Sequence, residues 1–129
     1  MEKAKYRDFV ITVSDRDNEK CDESWKCNHW TVTIKKPLTR KQMSFDVWGA
    51  KLATTMKPLE ALYLYVSDAC SFMNVEDVED IMNEFGYNDY KEAKKIFTAL
   101  EKSYYKCRRF IGDDDIICDI ANDLQEEWG

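Results

Sequence analysis

The chain is poor in the residues that loosen or break a fold, with four glycines and two prolines in 129 residues. That excludes a collagenous or low-complexity polypeptide. No apolar run approaches the roughly 18 residues of a membrane span. The opening MEKAKYRDF has basic residues but no apolar stretch behind them, so no secretory signal is expected. There is one histidine, His29. A Cys–His pair could use only Cys21 or Cys27, which lie too close to it in sequence to come from separate elements. The chain contains no G-x-S-x-G, Walker loop or G-x-G-x-x-G. The expectation is a protein that is not an enzyme and carries no cofactor.

Five cysteines stand at 21, 27, 70, 107 and 118. An odd count without an export signal points to reduced thiols in a cytoplasm rather than a disulfide framework. Cys21, Cys27 and His29 form C-x5-C-x-H, three zinc-type donors without a fourth. Zinc knuckles and ribbons use closer cysteine pairs, so loop thiols and a strand-face histidine are expected, and no metal site.

What the chain has is charge and periodicity. Charged residues make up 34% and the formal net charge is −6, with a pI near 4.9. Residues 1–56 hold 11 Lys and Arg against 8 Asp and Glu, a net of +3, and residues 57–129 hold 8 against 17, a net of −9. A negative field over the C-terminal half is the consequence.

Residues 1–50 read as β-rich. Phe9 to Ser14, His29 to Ile34 and Gln42 to Trp48 each alternate apolar and polar residues with period two. Lys35 to Lys41 joins the last two as a polar hairpin connection, and Asp15 to Asn28 is a long charged loop. A three-stranded antiparallel sheet with one wet face follows.

Residues 57–128 read as about four helices. Pro58 suits a first-turn position, and Leu59, Leu62, Val66, Ala69 and Met73 trace one helix face. Asn74 is a candidate cap for a short helix carrying Val75, Val78, Ile81, Met82 and Phe85, which Gly86 stops. Asp89 to Glu92 has capping-box spacing and opens a longer helix that Gly112 ends. Asp113 to Asp115 then lead into a last helix with Ile117, Ile120 and Leu124 inward. Strands followed by helices predict one α+β domain, with the helices on one face of the sheet.

The C-terminal stretch also carries a recognisable wording. Ser67-Asp-Ala69 with Phe72, Glu84-Phe-Gly-Tyr87, Ala93, Phe97 and Arg108-Arg-Phe-Ile-Gly-Asp113 resemble a family of small acidic proteins encoded by bacteriophages and other mobile elements. The resemblance spans roughly residues 28–120 and brings no catalytic signature. Proteins of this build include anti-CRISPR proteins. The resemblance therefore implies an inhibitor acting in the bacterial cytoplasm on a CRISPR effector nuclease, with the type II single-protein effector as first choice; the alternative is a phage accessory protein binding another host factor, or a nucleic-acid-associated regulator using the basic hairpin Lys35–Lys41.

The candidate partner-binding residues are the carboxylates Glu76, Asp77, Glu79, Asp80, Glu84, Asp113, Asp114, Asp115, Asp119 and Asp123. At helical spacing they could stand in for a row of phosphates in a basic groove, or serve only as a solubilising surface. The aromatics Trp25, Trp48, Tyr65, Tyr90 and Tyr105 lie off the apolar stripes and are candidate anchors, with Trp48 the one most expected to turn inward. Lys35, Lys36, Arg40 and Lys41 could hold a phosphate locally. Lys102, Lys106, Arg108 and Arg109 near a helix C-terminus could simply complement the dipole. No general affinity for duplex DNA is expected from the net charge, and monomer and homodimer are equally open.

Overall fold

Four antiparallel strands in the order β1-β2-β3-β4 build the N-terminal sheet: Glu2–Tyr6, Phe9–Val13, Cys27–Lys35 and Gln42–Ala50. The structure is a computed structural model and describes residues 2–17, 27–50 and 54–128. Register follows the alternation in the sequence. Ile11, Ile34 and Met43 line up across three strands, as do Val13, Val32 and Phe45. These side chains share one face, on which Ile11, Val32 and Ile34 are completely buried. Burying each is worth about 1.5–3 kcal/mol. The opposite face carries the row Thr12, Thr33 and Ser44, with the Thr33 and Ser44 hydroxyls 3.0 Å apart.

The fourth strand corrects the three-stranded expectation. β1, Glu-Lys-Ala-Lys-Tyr, is mostly exposed and, among the described residues, pairs only with β2. Charged side chains belong on an edge strand, where they discourage further pairing, and its alternation is short, with only Ala4 and Tyr6 half-buried between exposed lysines. The β1–β2 turn is Arg7-Asp8, with Arg7 at φ 53°, so the Asn-Gly signal of a tight hairpin is absent too.

Four helices follow: α1 Pro58–Phe72, α2 Val78–Phe85, α3 Tyr90–Phe110 and α4 Asp114–Trp128. Pro58 opens α1 as its fixed φ favours. The start of α2 corrects the Asn74 assignment. Its cap is Asp77, which accepts the Asp80 N–H while the Asp80 carboxylate accepts the Asp77 N–H, a reciprocal capping box. Gly86 ends α2 at φ 74°. Asp89 caps α3 through the Lys91 N–H.

By compactness the chain divides into two units, Met1–Tyr65 with Glu127–Gly129, and Val66–Glu126. In the first, the Phe45 and Tyr65 rings stack at 4.1 Å. In the second, Val66, Ile81, Ala93, Cys107, Ile117 and Ile120 are buried, and the Phe72 ring packs against Phe97 and Tyr104. Among the described residues no helix is long and apolar enough to cross a membrane.

Candidate functional site

The ten candidate carboxylates fall into two groups that the sequence does not separate. The first group builds helix ends. Asp77 and Asp80 form the α2 box, with the Glu76 N–H also donating to Asp80 at 2.7 Å. Asp113 accepts the Ile116 N–H at 3.1 Å. Asp114 accepts the hydroxyl hydrogen of Tyr104, and that bond holds the phenol above its ordinary pKa. The second group projects outward. Glu76, Glu79 and Glu84 around α2, and Asp115, Asp119 and Asp123 on α4, are exposed.

The two groups differ in what a charge change would do. Reversing Asp77 or Asp113 removes a cap as well as a surface charge. Reversing Asp119 changes the surface alone, whereas reversing Asp115 also gives up its interaction with the helix dipole in the first turn of α4. On a helix turning 100° per residue, Asp115, Asp119 and Glu126 lie within about 40° of one another. α4 carries six carboxylates and no Lys or Arg. Its outer face is therefore uniformly negative, and its first-turn acids also suit the helix dipole.

In the other unit, Lys35, Lys36, Arg40 and Lys41 all line a shallow cavity of about 440 Å³ with Lys3 and Gln42. Lys36 sits over the Phe9 ring, 5.7 Å from its centroid. The hairpin closes through Lys36 N–H to the Lys41 carbonyl and Thr39 N–H to the Lys36 carbonyl, with Leu38 at φ 68° on its tip.

His29 departs from the expected wet strand face. Its neighbours Thr31 and Thr33 are half-buried, whereas His29 is 1% exposed. It pairs across the strands with Trp48, whose indole meets the imidazole edge-on at 5.1 Å. Nε2 lies 3.1 Å from the Asp46 carboxylate, and Nδ1 has no partner among the described residues. Cys21 and the side chain of Cys27 lie outside the described residues, and among those described no group of three His, Cys, Asp or Glu could hold a metal ion.

The aromatic expectations divide. Tyr90 and Tyr105 are about half exposed, and so is Trp48, which does not turn inward. It instead roofs His29. Tyr65 is 8% exposed, a core residue held by its stack on Phe45. Phe85, expected inside, is 47% exposed, because α2 ends at that residue and Gly86 turns the chain away. Trp25 lies outside the described residues.

What sequence reasoning missed is the length of the basic surface on α3. Its C-terminal cations were seen, but Lys91, Lys94 and Lys95 extend the same face back to the helix start. The signal was available as i, i+4, i+11 spacing from Lys91. Comparison of the chain with protein-family models, curated proteins and solved structures finds no match.

Proposed function

We propose that this chain is a stoichiometric inhibitor of the anti-CRISPR kind, which binds a CRISPR effector nuclease and blocks its recognition or cleavage of DNA. The observation that carries the reading is the outer face of α4, where Asp115, Asp119 and Asp123 are exposed on a helix with no cation. A CRISPR effector presents a positively charged channel for its heteroduplex and arginines that read the short motif beside the target. Carboxylates about 6 Å apart along a rigid helix complement such a groove, and complementarity of that kind raises association rate and selects the partner. The identification of the partner class leans on the resemblance of residues 28–120 to mobile-element proteins.

The test is a nuclease-treated pull-down with the chain as bait in cells expressing effectors of several types, followed by a target-cleavage assay. Capture of one effector with loss of its cleavage is expected. Asp115→Lys with Asp119→Lys should slow association at least tenfold at low salt while the chain stays folded, since neither residue caps a helix and the lost first-turn dipole interaction of Asp115 is worth only about 0.3–1 kcal/mol. Unchanged inhibition by that variant would discard the acidic face as the docking surface. A second reading, a nucleic-acid-associated regulator, is favoured by the basic hairpin cavity around Lys35, Lys36, Arg40 and Lys41.

A further inference from the structure

Every Lys and Arg between residues 58 and 128 lies in α3. The helix holds seven of them, against the two carboxylates Glu92 and Glu101. At 100° per residue, Lys91, Lys95, Lys102, Lys106 and Arg109 fall within about 60° of one another, with Lys94 at the margin. Glu92 and Glu101 fall about 80–100° from that stripe's centre line, on opposite sides. The stripe runs about 27 Å at 1.5 Å per residue. Apart from half-buried Lys106 its members are exposed, and so are Thr98 between them and Tyr105 beside them.

Neither local account of this pattern suffices. Cations complement the dipole at a helix C-terminus, which covers Arg108 and Arg109. Lys91, Lys94 and Lys95 sit in the first two turns, where the same dipole opposes them. A solvated face ordinarily mixes signs, because i, i+4 pairs of opposite charge stabilise a helix and like pairs destabilise it. Lys91–Lys95 and Lys102–Lys106 are both like pairs at that spacing. A pattern that costs helix stability at several positions marks a functional surface.

We infer that this face of α3 docks the phosphate backbone of duplex DNA, without reading its sequence. Outside nucleic-acid-binding grooves, protein interfaces are depleted in Lys, Asp and Glu and built around buried aromatic or arginine anchors. This stripe is four-fifths lysine and has no apolar anchor at its centre. Single-strand binding rests on several stacking aromatics, and of the exposed aromatics of α3 only Tyr105 borders the stripe. The stripe is rather a straight row of ammonium groups with a hydroxyl among them, the chemistry that holds phosphates and carries no base information. The net charge of −6 averages over the whole chain. Charges more than about 10 Å apart are screened at 0.1 M salt, so the local field over α3 governs. The inference is independent of the proposed inhibitor function, which uses α4.

The test is fluorescence anisotropy of a labelled duplex against the full chain between about 50 and 200 mM KCl. Five phosphate contacts give a slope of log K against log salt of about −4 to −5. The double variant Lys95→Ala, Lys102→Ala should bind at least tenfold more weakly, with a slope shallower by about 2. Alanine is the best helix former, so helix content by circular dichroism should hold or rise. Asp115→Lys with Asp119→Lys should leave duplex binding in place, separating this inference from the inhibitor reading. The inference is overturned if the wild-type chain does not bind at 50 mM salt, or if the double variant keeps the wild-type slope. It is equally overturned if only Lys35, Arg40 and Lys41 substitutions abolish binding, if single strands are preferred, or if the stripe instead mediates salt-sensitive self-association.

Discussion

The Sγ atoms of Cys70 in α1 and Cys118 in α4 lie 3.6 Å apart, with the Met73 sulfur 3.7 Å from Cys118. Burial and the Cys118 thiol push Cys70 up to about 12, and burial pushes Cys107 to about 12 as well. The thiolate, not the thiol, is the nucleophile. Alkylation of the native chain with iodoacetamide at pH 8, mapped by mass spectrometry, should leave Cys70 and Cys107 unlabelled until denaturant is added. A folded thiol that holds its proton more tightly than the unfolded one stabilises the fold below pH 9, and that contribution is lost as pH rises toward 12. Rapid labelling in native buffer would contradict this placement.

Tyr104 joins α3 to the first turn of α4 through Asp114. Tyr104→Phe removes a hydrogen bond to a charged acceptor and should cost about 1–2 kcal/mol in urea unfolding at pH 7. The folded phenol has a raised pKa, first through its bond to Asp114. Its contribution is therefore complete below pH 10 and lost as pH climbs past that. The gap between wild type and variant should close in alkaline urea titrations.

Two glycines with positive φ should respond differently to alanine. At Gly86 (φ 74°) an added Cβ meets nothing within 4 Å, so the cost is backbone strain of about 1 kcal/mol. At Gly112 (φ 157°) it would come within 2.9 Å of the Ile116 Cβ. Gly112→Ala should lower the melting temperature clearly more than Gly86→Ala. Equal shifts would mean that the α3–α4 turn relaxes freely.

Leu38 combines a left-handed backbone with complete exposure at the hairpin tip. A leucine there pays strain without gaining burial, whereas asparagine tolerates that conformation. Leu38→Asn should raise stability by about 0.5 kcal/mol, measured as an increase in the urea midpoint at constant slope.

The partition into a β-rich part and a helical part was legible because period-two and period-3.6 patterns differ over segments as short as Phe9–Val13 and as long as Tyr90–Phe110. Helix stops were legible at Gly86 and Gly112 through backbone chemistry that acts locally. β1 was not legible, since an edge strand is defined by the partner it lacks and its residues are chosen for water. The α2 cap was displaced from Asn74 to Asp77 because the choice depended on which side chain found a reciprocal partner, and Asp80 supplied it.

By itself, then, the sequence determined the element types, the registers that keep Ile11, Val32 and Ile34 on one face, and the gathering of every cation after residue 57 into one helix. Those are consequences of local periodicity and composition. Tertiary structure alone decided that His29 is buried beneath Trp48, that Tyr65 is core, and that Cys70 meets Cys118 across 48 positions. It also decided which aspartates cap helices and which face outward. Each of these turns on which residues distant in sequence come within a few ångströms, and hydrophobic pattern specifies a face for a residue without specifying its neighbour.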